Sequence, residues 1–202
     1  MTEKTYLATV YDLKGDKVRE YYDDWAKSYE DEVAQNAYAT PDRCATALVA
    51  TDLPKDAPIL DFACGTGLSG VALAKAGFTK FDGIDISQGM LEQAEAKGIY
   101  RTLTTVSGDA PPPVMQGAYQ AITAMGAIGP GAAPASVIAP LAEALLTGGY
   151  FVFSLNDVAM NHPEFAAAIE AQADTLTLIT KDHGAHLPGI DVKATVFTFQ
   201  KA

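Results

Sequence analysis

Ile59-Leu60-Asp61-Phe62-Ala63-Cys64-Gly65-Thr66-Gly67-Leu68-Ser69-Gly70 is the stretch from which the fold can be read. An apolar run fit for a buried strand leads to an acid, then to glycines where the chain must turn. Helical spacing through Val71, Leu73 and Ala74 follows. Strand, tight turn and helix form the opening βα unit of a nucleotide-binding α/β sheet. Gly65 and Gly67 let the backbone turn and meet a ligand with no Cβ in the way. The helix that follows offers free N–H groups at its positive end.

Two cofactor readings compete for this turn. Gly65-Thr66-Gly67-Leu68-Ser69-Gly70 fits the dinucleotide fingerprint G-x-G-x-x-G, with Asp85 as the acid expected about 20 residues on. That reading makes an NAD-dependent dehydrogenase. Asp61, ahead of the first glycine, weighs the other way: a carboxylate there repels a pyrophosphate but suits an α-amino group or a cation. Asp-Phe-Ala-Cys-Gly-Thr-Gly resembles motif I of the class I S-adenosylmethionine-dependent methyltransferases, Asp/Glu-x-(Gly/Ala)-x-Gly-x-Gly.

Upstream of the turn, Val18, Tyr22, Trp25, Tyr29 and Val33 share one face of a helix predicted from Asp16 to about Ala37. The stripe could simply pack the helix down, or it could lid a cofactor cleft with aromatic faces that attract a sulfonium. Thr40-Pro41 opens a second helix. Residues 1–50 thus read as a helical lid or cap, and 51–202 as a Rossmann-like domain.

Downstream, Phe81–Ser87 predicts a second strand ending at Asp85, Tyr100–Val106 a third, Tyr119–Met125 a fourth and Tyr150–Leu155 a buried fifth. Leu176–Thr180 and Thr195–Phe199 read as two more, joined by a polar loop that carries His183 and His186. The alternation of strands and helices predicts an α/β fold, and the resemblance to the class I methyltransferases implies its form: a Rossmann-like, seven-stranded, mostly parallel sheet with an antiparallel last strand, helices on both faces and an N-terminal helical lid. Fold logic places the ligand crevice beside Gly126-Ala127-Ile128-Gly129-Pro130-Gly131, because strands 1 and 4 flank the switch point.

Composition narrows the partners. A net charge of −11 over 202 residues argues against nucleic-acid phosphates as ligand and tolerates neutral or cationic small molecules. Two cysteines make neither a disulfide framework nor a metal cluster, and His183-x-x-His186 alone is too little for zinc. No signal peptide and no apolar run of membrane-spanning length is visible, so a cytoplasmic home is expected, as a monomer or homodimer.

A closer resemblance runs over residues 21–155. Trp25-Ala26-x-x-Tyr29, Leu60-Asp61-x-Ala63-Cys64-Gly65-Thr66-Gly67-Leu68, Gly77-Phe78, Gly83-Ile84-Asp85-x-Ser87-x-Gly89-Met90-Leu91-Glu92-Gln93-Ala94 and Gly98-x-Tyr100 resemble the Williams–Beuren critical region methyltransferase-like proteins. The resemblance implies S-adenosyl-L-methionine as cofactor. It puts Trp25 and Tyr29 on the lid, and Asp61, Ala63, Gly65, Thr66 and Gly67 around the methionine part. Asp85 and Ile86 fall at the ribose, Asp109 and Ala110 at the adenine and Gly126 beside the sulfonium, and Met90 is a further cofactor-binding residue. It names no acceptor. Displacement at a sulfonium needs no general acid, and if the acceptor must lose a proton, His162 after the fifth strand is the first candidate base. Two functions follow: methyl transfer to a small-molecule acceptor, or an S-adenosylmethionine-binding module without chemistry of its own.

Overall fold

The computed structural model describes residues 6–13, 15, 17–107 and 117–202. The region expected to form the lid carries two helices, α1 (Lys17–Trp25) and α2 (Tyr29–Gln35), and a third, α3 (Thr40–Val49). The single helix predicted over 16–37 is broken at residues 26–28, where Ser28 N–H bonds three residues back to the Trp25 carbonyl. The aromatic stripe survives the break because the four-residue steps from Trp25 to Tyr29 to Val33 straddle it. Then come β1 (Ile59–Phe62), α4 (Leu68–Lys75), β2 (Phe81–Asp85), α5 (Gln88–Glu95), β3 (Leu103–Thr105) and β4 (Tyr119–Ala124). The chain closes with α6 (Ile138–Ala144), β5 (Leu145–Asn156), α7 (Asp157–Met160), α8 (Pro163–Glu170), β6 (Leu176–Leu187) and β7 (Val192–Lys201).

The seven strands form one sheet in the order β3-β2-β1-β4-β5-β7-β6. Strands β1 to β5 run parallel to one another, and β7 lies antiparallel to both β5 and β6. This is the expected class. Alternation along β1 sorts its side chains: Ile59 packs with α3 and α4 through Leu48 and Leu73, whereas Leu60 and Phe62 pack with Leu141 of α6 and Phe165 of α8. Helices therefore cover both faces, and α1 and α2 stand apart in a third cluster built on Trp25, Ala26 and Met90.

The second half departs from the sequence reading in one respect. The hairpin strands run on to Leu187 and back from Val192, so Lys181–His186 is β-structure and not a loop. An edge strand tolerates the charges that made this segment read as a loop. No helix among the described residues is long and apolar enough to cross a membrane.

Candidate functional site

A cavity of about 600 Å³ opens at the carboxyl ends of β1, β2 and β4, under the lid. Its floor includes Ala63, Gly65, Asp85, Ile86 and Met90, its far wall Met125, Gly126 and the 129–135 loop, and its roof Tyr22 and Tyr29. His162 and Phe165 close one side. Strand ends meet there because β1 and β4 are neighbours whose connections leave on opposite faces of the sheet.

The floor is held by backbone donors. Asp85 Oδ2 accepts the Gly65 N–H at 2.8 Å, and Oδ1 accepts the Ser87 N–H at 2.8 Å. Each oxygen keeps further lone-pair capacity. The residue is 7% exposed and borders the cavity. Burial pushes its carboxyl up to about 6, against the pull of the N–H groups of Ser87, Gly65 and Ile86. Gly65 takes φ +55°, and a Cβ built there meets nothing within 4 Å, so bare backbone faces open space.

Asp61 behaves otherwise than expected. It is fully buried, and its carboxylate accepts from Ser69 Oγ at 2.5 Å, Tyr100 Oη at 2.7 Å and Thr123 Oγ1 at 2.9 Å. It does not line the cavity. The reason is the pleat: Asp61 shares its face of β1 with Ile59, beneath α4, where Ser69 lies. Burial pushes its carboxyl up to about 6 despite the three hydroxyls. Thus the carboxylate expected to guard the turn instead ties β1, α4 and Tyr100 together from behind. Tyr100 also explains Gly70: its hydroxyl accepts the Gly70 N–H at 3.0 Å, and a Cβ on that glycine would collide with the ring.

The other predicted site residues divide. Tyr29, Ala63, Gly65, Asp85, Ile86, Met90, Gly126 and His162 all border the one cavity. Trp25 does not; it is buried behind Tyr22 and Tyr29, stacked on one and edge-on to the other, and its indole N–H donates to Glu32 Oε2 at 2.8 Å. Thr66 and Gly67 lie beneath the turn. The Thr66 hydroxyl is buried without a partner, its carbonyl accepts from Lys97 Nζ at 2.7 Å, and Gly67 packs against Ala94 and Tyr100. Asp109 and Ala110 lie outside the described residues. His162 precedes α8 as its N-cap residue, with Nδ1 3.5 Å from Glu164 Oε1.

Sequence reasoning missed the layer behind Gly126. That glycine takes φ +68°, its N–H donates to Ser154 Oγ at 2.8 Å, and a Cβ on it would strike the Tyr38 hydroxyl. His186, predicted in a loop, is buried there instead: Nδ1 lies 2.7 Å from Thr40 Oγ1 and the ring stands edge-on to Tyr38. Burial and the nearby Arg43 push its imidazole down to about 4, so it is neutral at pH 7. Among the described residues no cluster of three or more His, Cys, Asp or Glu side chains could hold a metal. Cys64 is buried, and desolvation with Asp61 and Asp85 nearby raises its thiol well above the ordinary value, which disqualifies it as a nucleophile.

A family model described as a methyltransferase domain matches residues 59–149. Methyltransferase-like protein 27 of Homo sapiens is 36% identical over 160 residues, which cover 77% of this chain and 64% of that protein. The chain thus spans slightly under two thirds of that relative's length. Among solved structures, a Thermotoga maritima S-adenosylmethionine-dependent methyltransferase, described as a possible histamine N-methyltransferase, superposes with a TM-score of 0.64 at 14% identity, over 92% of this chain and 100% of that one. Geranyl diphosphate methyltransferase in complex with GPP and sinefungin gives 0.59 at 16% identity, over 78% and 77% of the two chains. At such identities these two likenesses carry the fold alone.

Proposed function

We propose that the chain is a class I S-adenosylmethionine-dependent methyltransferase, a reading supported by the methyltransferase-domain match and the 36% identity to a methyltransferase-like protein, and that it binds S-adenosyl-L-methionine above β1 and β2 and transfers the methyl group to a small-molecule acceptor. The observation that carries this reading is Asp85: a carboxylate fastened by two backbone N–H groups at the edge of a cavity, next to a bare glycine turn. Such a carboxylate suits the vicinal diol of a ribose, which either cofactor would bring; the methyltransferase-domain match and the methyltransferase-like relative favour the sulfur cofactor. The bound cofactor would supply an electrophilic methyl group on a positively charged sulfur.

The chain's own work is then to hold and to exclude. Asp85 would take the ribose hydroxyls, Gly65 and Ala63 would let backbone lie against the amino-acid portion, and Tyr22 and Tyr29 would roof it. Burial raises both phenols, so the roof stays neutral at physiological pH. Closing a lid over aligned reactants supplies most of what a displacement of this kind needs, about 7–11 kcal/mol. The acceptor would enter beside Gly126, at the wall that this glycine forms with Met125 and the 129–135 loop, and His162, which borders the same cavity, would take a proton from it. Nucleic acid is not expected as acceptor on a chain of charge −11. A cytoplasmic protein, monomeric or homodimeric, completes the reading.

Thermal shift with S-adenosylhomocysteine and, separately, NADH tests it. At 100 times its dissociation constant a ligand adds about 2.7 kcal/mol, or a few degrees for a chain of this size. The sulfur ligand should stabilise and NADH should not; the reverse would restore the dehydrogenase reading. Binding without turnover across a metabolite panel would favour the binding module.

A further inference from the structure

Lid helix α1 meets the cofactor-side machinery at one carboxylate. Asp23 Oδ1 accepts the Ser87 hydroxyl at 2.6 Å and the Gly89 N–H at 3.0 Å, at the start of α5. The Ser87 oxygen simultaneously accepts the Met90 N–H at 3.1 Å, as an N-cap does. Ser87's own N–H goes to Asp85 Oδ1, and Asp85 Oδ2 holds the Gly65 N–H. An unbroken chain of hydrogen bonds therefore runs from the lid through Ser87 and Asp85 to the glycine turn. Gly89 is where the lid lands: a Cβ there would lie 3.2 Å from the Asp23 carbonyl oxygen and 3.4 Å from the Ala26 Cβ. A second tie runs through Lys97, whose Nζ pairs with Glu30 of α2 at 2.6 Å and donates to the Thr66 carbonyl.

We propose that Asp23 is a positioning residue that couples lid docking to cofactor binding, by fastening α1 to the Ser87 cap whose backbone N–H orients Asp85. This rests on the cofactor reading given above. Lid closure and Asp85 orientation then share one free energy, so a cofactor that engages Asp85 also draws the lid down, and loss of the latch weakens the cofactor in return.

Both accepted bonds converge on a single oxygen, which fixes the design of the test. Asp23→Asn keeps an acceptor there, and Asp23→Ala removes it. The chain has one tryptophan, Trp25, packed between Tyr6 and Tyr22 in the lid, so its emission reports whether the lid is down. S-Adenosylhomocysteine is titrated by calorimetry into the full chain, with Trp25 emission read in parallel. Asp23→Ala should weaken binding at least tenfold and red-shift the free protein's emission, and saturating ligand should pull the emission back. Asp23→Asn should stay within about threefold of wild type. Gly89→Ala strengthens helix α5 by propensity while crowding the lid, so affinity lost there cannot come from a weakened helix; a loss of threefold or more is expected. Wild-type affinity in both Asp23→Ala and Gly89→Ala would overturn the proposal, as would a red-shifted emission that saturating ligand fails to reverse. A wild-type chain that binds no S-adenosylhomocysteine would sink the cofactor reading itself, before any variant is measured.

Discussion

The ends of β1 and β2 carry the same chemical group in nearly the same electrostatic condition and use it differently. Asp61 and Asp85 are both buried, and both are pushed up to about 6 by desolvation. Asp61 is answered by three side-chain hydroxyls and does not border the cavity. Asp85 is answered by two backbone N–H groups and does border it. Side-chain partners on several elements make a structural tie, whereas backbone partners at a strand end make a fixed but still available acceptor. A raised carboxyl by itself therefore does not mark the binding group; what remains of its lone pairs, and where they face, does.

The sharpest way to break this contrast is to remove each group in turn. Asp85→Ala strips the cavity edge of its acceptor, and two hydrogen bonds to a charged group at about 1.5 kcal/mol each predict an S-adenosylhomocysteine affinity about a hundredfold lower. Calorimetry reads it directly, and near-wild-type affinity would mean that the ribose does not sit on β2. Asp61→Ala should do the opposite. It orphans the hydroxyls of Ser69, Tyr100 and Thr123, and about 2 kcal/mol of folding stability should go in urea denaturation, with affinity within threefold of wild type. If affinity fell with Asp85-like severity, Asp61 would face the ligand after all.

Proton linkage separates the two groups at smaller amplitude. Both carboxyls titrate near 6 when folded and near 3.8 when unfolded, so between those values the native state binds more protons. Stability then falls as pH rises through that window, by at most about 1.4 kcal/mol per group per pH unit. From these two groups the fold should be about 2.6 kcal/mol more stable at pH 5 than at pH 7, and Asp61→Asn should erase roughly half of that difference. Ligand affinity should run the other way, weakening below pH 6 as Asp85 takes up a proton, and Asp61→Asn should leave that profile in place. Loss of the affinity profile in Asp61→Asn would exchange the two roles.

That the two carboxylates could be located from the sequence but not told apart has a definite cause. Motif spacing puts an acid at the end of each strand, and the strand period then sends Asp61 to the α4 face; but whether hydroxyls wait there depends on Tyr100 and Thr123, which lie 39 and 62 positions along the chain. The parallel strands, the glycine turn and most of the cavity floor were legible for the same reason: each is written in a contiguous run. His186 and the extension of β6 were not, since polar residues on an edge strand look like a loop until α3 and Thr40 are seen to cover one of them. The break between α1 and α2 was hidden by a stripe whose period survives it.

The turn joining the two ends offers the finest test. Ala63 takes φ +51°, a left-handed conformation in a non-glycine residue, and it is partly buried against the core while bordering the cavity. Ala63→Gly relieves a backbone cost of about 1–2 kcal/mol. Against that stand the added freedom of the unfolded chain, about 0.5–1 kcal/mol, and the loss of a half-buried methyl group worth about 0.4 kcal/mol. The opposing terms nearly cancel, leaving a net change between a loss of about 0.4 and a gain of about 1.1 kcal/mol in denaturant unfolding, with ligand affinity unchanged. A loss above about 1 kcal/mol would show that the methyl group, and not the backbone conformation, is what this turn needs between its two carboxylates.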